Sequence, residues 1–153
     1  MRMHPPRWWS RRIAAAALAV VAVATATGVS ACSSSTSIGG TTSPATGQHM
    51  AASDFSTAMK APGTIVLDVR TPAEYASGHL PAAQNIDIEA SDFATRVAAL
   101  DKTATYAVYC RSGNRSGTAL QQMSAAGFTH VYDLAGGIGA WQNMGGPMTL
   151  GGS

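Results

Sequence analysis

The chain has 153 residues, of which 46% are hydrophobic and 12% are charged, and its formal net charge is +2. This length predicts one domain, or two at most, and so small a net charge does not indicate a nucleic-acid partner. Sixteen glycines and seven prolines follow no three-residue period, which excludes collagen, and two cysteines are too few for a disulfide framework.

The first segment of the chain has the pattern of an export signal. Four arginines precede an apolar run at 13–23, and small residues follow that run. The four arginines are Arg2, Arg7, Arg11 and Arg12. The residues Val29-Ser30-Ala31-Cys32 resemble the lipobox of bacterial lipoproteins, which implies that Cys32 carries a thioether-linked diacylglycerol and becomes the mature N-terminus. We expect a lipoprotein signal peptide at 1–31 and an extracytoplasmic protein that its N-terminal lipid anchors to the cell membrane.

Other interpretations of this segment stay open. An uncleaved anchor would use 13–31, which is long enough to span a bilayer but only weakly apolar. A buried Ala-rich helix is disfavoured, because four arginines would lie on one flank without a polar face. Both membrane interpretations keep the arginines inside and place the later residues outside. Ser10-Arg11-Arg12 also resembles a twin-arginine signal, so the sequence does not decide the export route.

The mature chain is predicted to begin with a flexible tether at 32–47, where Ser, Thr and Gly predominate. After cleavage before Cys32, six basic residues remain against eight acidic ones, so the net charge becomes −2. A folded domain follows at 48–147, and a flexible tail at 148–153 ends the chain.

Strands alternate with helices through this domain. Strands are predicted at 64–69, 84–86, 104–109 and 130–134. Helices are predicted from a capping box at Thr71 to Gly78, at 91–100, from about Ser116 to Gly127, and at 138–144. The third of these has a buried stripe of Ala119, Leu120, Met123 and Ala126. The alternation predicts an α/β fold, a small and largely parallel sheet with helices on both faces.

A cysteine follows the strand at 104–109, at the edge where ligands of such sheets bind. Gly113 permits a tight curl after Cys110, so that backbone N–H groups can point inward as an anion nest before the next helix. A thiol at the base of such a ring, near Arg111 and Arg115, should ionise readily. The loop therefore predicts a nucleophile held in an oxyanion cradle.

Four stretches, in this order and spacing, resemble a single-domain rhodanese, which is a sulfurtransferase module. They are LDVRTPAEY at 67–75, GHLPAAQNI at 78–86, VYCRSGNRS at 108–116 and GGIGAW at 136–141. The chain departs from the family at Ala82, where glycine usually follows the proline. The resemblance implies that Cys110 takes a sulfane sulfur from an anionic donor such as thiosulfate and passes it, as a persulfide, to a thiol or cyanide.

The resemblance also implies roles around the catalytic Cys110. The substrate-binding loop would consist of Arg111, Ser112, Gly113, Asn114 and Arg115. Its N–H groups would stabilise the charged outer sulfur, and its arginines would attract the donor. Asp68 and Arg70 would support the site from the neighbouring strand.

The remaining polar residues predict little chemistry. His49, His79 and His130 have no paired spacing with carboxylates or cysteines, so we expect ordinary surface or turn histidines, no metal and no cofactor. Glu74 is predicted to be a helix cap and Asp133 a turn residue.

Two rival functions stay open. Dual-specificity phosphatases of the same fold use C-x5-R, whereas Arg115 follows Cys110 in a C-x4-R spacing, and the shorter ring favours a sulfane sulfur over phosphate or arsenate. A non-enzymatic persulfide carrier or partner-binding module is the second. We expect a monomer that uses a small anionic donor and a small thiol or protein acceptor. If Cys32 is acylated, Cys110 is the only free thiol of the mature chain, so a partner or small thiol must keep it reduced or loaded.

Overall fold

The structure, a computed structural model, describes residues 46–151. The predicted signal peptide, the predicted lipidation site Cys32 and most of the predicted tether lie outside the described residues. Within 46–151, no helix combines the length and the apolar character needed to cross a bilayer.

Five strands form one parallel sheet in the order β1-β5-β4-β2-β3. The strands are β1 (Gln48–Met50), β2 (Thr64–Asp68), β3 (Gln84–Asn85), β4 (Thr105–Tyr109) and β5 (His130–Leu134). The predicted α/β class is confirmed, and every pairing between these strands is parallel. Strand β4 occupies the centre of the sheet, so the residue that follows it lies at the middle of the carboxyl edge.

Four helices connect consecutive strands, a fifth follows β5, and the helices pack on both faces of the sheet. They are α1 (Ala52–Ala58), α2 (Pro72–Ala76), α3 (Phe93–Ala98), α4 (Asn114–Ala125) and α5 (Gly137–Asn143). The predicted capping box at α2 is present, because Glu74 N–H donates to Thr71 Oγ1 at 3.3 Å and Thr71 N–H donates to Glu74 Oε2 at 3.1 Å.

Side chains alternate along the strands and divide the core into two clusters, one on each face. Helices α3 and α4 cover the first cluster, which contains Val108 and Cys110. Helices α1 and α5 cover the second, in which Phe55 meets Trp141 edge to face at 6.4 Å. Tyr109 belongs to the second cluster, so its ring lies on the opposite face from the thiol.

Several local details differ from the predictions. Ala126 lies outside the buried stripe of α4, since the helix ends at Ala125 and Phe128 is the next buried side chain. Helix α4 begins at Asn114, earlier than predicted, because Gly113 adopts a left-handed conformation (φ 98°) and turns the chain there. Elements β1 and α1 were not among the predicted ones, since a three-residue strand carries no readable alternation.

Beyond the predicted end of the domain at 147, the chain returns to the loop that follows α2. Thr149 and His79 exchange two backbone hydrogen bonds, of 2.9 and 2.8 Å. This contact helps to bury His79, whose ring stacks on Tyr75 at 3.8 Å with Nδ1 3.0 Å from the Tyr75 carbonyl oxygen. The expectation of a surface or turn histidine at 79 is therefore wrong, because the returning segment covers it.

Candidate active site

Cys110 lies directly after the central strand with its thiol buried under the loop that leads into α4. The backbone N–H of Gly113 points at Cys110 Sγ at 3.1 Å. Gly113 is also the N-cap of α4, a helix of 12 residues whose free N–H groups and dipole favour negative charge at this end. The sulfur therefore lies where an anion is stabilised.

A second glycine lets α5 approach the Cys110 loop closely. Ile138 N–H donates to the Cys110 carbonyl oxygen at 2.8 Å, and Gly139 N–H donates to that of Arg111 at 3.4 Å. Gly137 has φ 58°, and a Cβ at this position would lie 2.5 Å from the Cys110 oxygen. Only glycine fits there without displacing backbone, so the start of α5 fixes the shape of the loop from outside.

Arg115 does not stand free beside the thiol. Its guanidinium donates to both carboxylate oxygens of Glu74 at 2.8 Å each, and Glu89 lies 3.7 Å away. Hydrogen bonding from Arg115 lowers the pKa of Glu74 to about 2, and the same bond raises the pKa of Arg115. This ion pair links α4 to α2 and places a carboxylate directly against the Arg115 guanidinium.

Asp68 and Arg70 form a buried ion pair at the end of β2. Arg70 Nη2 donates to Asp68 Oδ2 at 2.6 Å and to the Gly78 carbonyl oxygen at 2.7 Å. Burial disfavours the charged guanidinium, but the Asp68 carboxylate outweighs this and raises the pKa of Arg70. The guanidinium carbon also lies 5.5 Å from the ring centroid of Tyr109, whose hydroxyl accepts from Leu80 N–H at 3.0 Å. The pair thus ties β2, the end of α2 and β4 together beside the loop.

Two open cavities adjoin the outer side of the loop, and Arg111 lines both. One, of about 280 Å³, is also lined by Arg70 and Gln142. The other, of about 470 Å³, is also lined by Ser112 and Gln142. Within 46–151, no carboxylate lies at ion-pair distance from Arg111, although Glu74 also lines the smaller cavity. The other loop residue, Asn114, is exposed at the start of α4.

Three polar side chains that were not predicted as site residues line up behind the sulfur. Ser116 Oγ lies 3.6 Å from Cys110 Sγ and 2.7 Å from Asp133 Oδ2. Asp133 Oδ1 in turn lies 2.6 Å from Nδ1 of His49. Asp133 is a buried residue of β5, so its prediction as a turn residue is wrong, and the register that pairs β1 with β5 gives His49 a carboxylate partner. Of the described residues, no three His, Cys, Asp or Glu side chains are grouped closely enough to hold a metal ion.

A parallel five-stranded α/β domain, with a buried thiol after its central strand and a loop N–H pointing at the sulfur, has the arrangement of the rhodanese class of domain. The family model for the rhodanese-like domain matches residues 51–144, and the chain belongs to this family.

The folded domain is similar to several known proteins and solved structures. The thiosulfate sulfurtransferase GlpE of Pseudomonas fluorescens is 36% identical over 86 residues, which are 56% of this chain and 76% of the relative. A sulfurtransferase of Allochromatium vinosum is 36% identical over 84 residues, covering 55% and 77% of the two chains. The crystal structure of a rhodanese-related protein from Thermoplasma volcanium superimposes with a TM-score of 0.60 at 34% identity, covering 67% of this chain and 98% of that one.

Proposed function

We propose that this protein is a sulfurtransferase that carries a sulfane sulfur on Cys110 and takes it from a thiosulfate-like anion. The observation that carries the proposal is the Gly113 N–H at 3.1 Å from Sγ, at the base of a loop that opens α4. Relatives named thiosulfate sulfurtransferase and sulfurtransferase support it.

The proposed reaction has two displacements at sulfur. The Cys110 thiolate attacks the outer sulfur of thiosulfate, so a new S–S bond forms, the old one breaks and sulfite leaves with the bonding electron pair. Cyanide or a thiolate then attacks the outer sulfur of the persulfide, and Cys110 leaves again as a thiolate. Both steps place negative charge at the loop, where N–H groups and the helix dipole stabilise it.

The two loop arginines have different roles in this proposal. Arg111 is exposed, faces the cavities and attracts the anionic donor over a distance set by salt screening. Arg115 holds α4 against α2 through Glu74, and so keeps the loop in shape.

The same ion pair weighs against phosphatase or arsenate-reductase chemistry. Such reactions need an arginine that is free to bind the oxygens of a tetrahedral anion, whereas both carboxylate oxygens of Glu74 already occupy Arg115. Together with the C-x4-R spacing, this favours transfer of a single sulfur atom.

The proposal is tested with the full chain and a matched Cys110→Ser variant. We expect thiosulfate and cyanide to give thiocyanate at a rate that the Cys110→Ser change abolishes. Turnover of an aryl phosphate or of arsenate, without a persulfide on Cys110, would contradict it. A persulfide that forms but is not passed to cyanide or small thiols would instead identify a carrier that serves a dedicated protein partner.

We also propose that the protein is exported and lipid-anchored through Cys32. The proposal depends on the basic start, the apolar run and the lipobox-like residues of the sequence alone.

A further inference from the structure

A line of polar groups runs from the buried thiol to the protein surface. It consists of Ser116 on α4, Asp133 on β5 and His49 on β1, joined by contacts of 2.7 and 2.6 Å. The Asp133 side chain is 0% exposed, whereas that of His49 is 61% exposed. The titratable groups that face Asp133 are His49 from β1 and, through the Ser116 hydroxyl, Cys110 from the end of β4. Arg115 of α4 also interacts electrostatically with Cys110 and is unchanged in every variant below.

The single proton of the Ser116 hydroxyl has two acceptors within reach. The Asp133 carboxylate lies at 2.7 Å and the Gly113 carbonyl oxygen at 3.0 Å. A carboxylate is the stronger acceptor, so the hydroxyl donates away from the sulfur. Ser116 therefore presents oxygen lone pairs to Sγ at 3.6 Å, an arrangement that suits a thiol S–H and repels a thiolate.

The two charged states of the catalytic cycle differ in where the negative charge lies. In the resting thiolate it lies on Sγ, next to Ser116 and Asp133. In a persulfide it lies on the outer sulfur, about 2 Å farther along the new bond. Ser116 Oγ already lies against Sγ at 3.6 Å, so an outer sulfur that extends away from this oxygen is also farther from the Asp133 carboxylate.

We propose that Asp133 is a positioning residue that acts through Ser116, with His49 as its counter-group, to favour the persulfide of Cys110 over the resting thiolate. The inference rests on the proposed function for the persulfide itself, but the charge effect on Sγ is independent of it. His49 moderates the effect, because its ring N–H or positive charge offsets the Asp133 carboxylate from the solvent side.

The contacts of 3.6 and 2.7 Å keep the carboxylate within about 6 Å of Sγ. At that distance a unit charge changes thiol ionisation by at least about threefold, the value at the dielectric constant of water, and by about 100-fold at an effective dielectric constant of about 20. In the persulfide the negative charge lies about 2 Å farther from that carboxylate. At the same effective dielectric constant of about 20, this shifts the equilibrium from resting thiolate towards persulfide about threefold.

The test measures the rate at which iodoacetamide alkylates Cys110 as a function of pH in the full chain. Mass spectrometry of the Cys110 peptide keeps Cys32 out of the signal. In Asp133→Asn we expect half-maximal reactivity at a pH lower by half a unit or more. A shift of half a unit corresponds to about three times as much thiolate at a fixed pH below the midpoint. In His49→Ala we expect a shift to higher pH, because the carboxylate loses its counter-group. The double variant should behave like Asp133→Asn alone, since His49 acts only through Asp133.

His130→Ala is the matched control, since His130 lies at the amino end of β5, and we expect it to leave the profile unchanged. A second measurement determines the fraction of Cys110 persulfide at fixed ratios of thiosulfate to sulfite. To reach the same fraction as the parent chain, Asp133→Asn should need about threefold more thiosulfate.

Unshifted alkylation profiles in both single variants would overturn the inference. His49 is exposed, so the profile of His49→Ala decides even if Asp133→Asn fails to fold. Shifted profiles without any persulfide on the unaltered chain would contradict the proposed function, while leaving the charge effect of Asp133 established.

Discussion

The contact between α5 and the Cys110 loop makes Gly137→Ala the most informative single substitution. The added Cβ would lie 2.5 Å from both the Cys110 carbonyl oxygen and the Arg111 carbonyl carbon, and 2.6 Å from the Ser112 nitrogen. All three are backbone atoms, so no side chain can turn aside to make room. The loop must move away from α5, which weakens the hydrogen bond of 2.8 Å from Ile138 N–H.

Two contributions set the magnitude for Gly137→Ala. Alanine in a left-handed conformation costs about 1 kcal/mol after allowing for its lower entropy in the unfolded chain. Overpacking against backbone adds about 1 to 3 kcal/mol, so the free energy of unfolding should fall by about 2 to 4 kcal/mol. Displacement of the loop should also slow persulfide formation about 100-fold, because the N–H of Gly113 no longer meets the sulfur.

Gly145→Ala is the matched control for this substitution. Gly145 has φ 75°, and nothing lies within 4 Å of a Cβ built there, so this variant has the conformational cost without the clash. Urea unfolding and the initial rate of persulfide formation are measured for both variants and the parent chain. If Gly137→Ala is no less stable and no less active than Gly145→Ala, the claim that α5 shapes the loop is wrong.

Three other substitutions test separate parts of the account. Ala82→Gly should raise the free energy of unfolding by about 0.5 to 1 kcal/mol in urea without changing activity, because Ala82 is exposed and strained at φ 59°; no gain would contradict this. Glu74→Gln should destabilise the chain at neutral pH, and its deficit against the parent should vanish as the pH falls from about 4.5 to about 2. Folding lowers the pKa of Glu74, so its ion pair stabilises the chain fully above the unfolded-state pKa and loses this effect as the pH falls through the folded-state pKa. A deficit that persists at pH 2 would refute this prediction. Cys32→Ala should abolish incorporation of a labelled fatty acid and release the protein from membranes, whereas a variant that stays labelled and bound would refute the lipid anchor.

The parts of the fold that depend on neighbouring residues were predictable from sequence. The capping box at Thr71 and Glu74 is a local spacing, and the strand before Cys110 is a run of buried side chains. The tight loop was also predictable, because Gly113 follows Cys110 closely in the sequence and its effect on the backbone is local.

The parts that depend on contacts between distant segments were not predictable. His49 meets Asp133 only because β1 and β5 pair in a register that a single sequence does not reveal. Likewise, Arg115 pairs with Glu74 because the fold brings the first turns of α4 and α2 together. Ser116 belongs to the stretch that resembles the family, but its role as a link between sulfur and carboxylate depends on the burial of Asp133.

The most direct test of the central claim is a single loading of the full chain with thiosulfate, followed by the mass of the Cys110 peptide. The account predicts that this peptide gains the mass of one sulfur atom, that cyanide removes it as an equal amount of thiocyanate, and that Cys110→Ser gives neither signal. A Cys110 peptide without added sulfur, or thiocyanate formed by Cys110→Ser, would contradict the claim that Cys110 carries the sulfur.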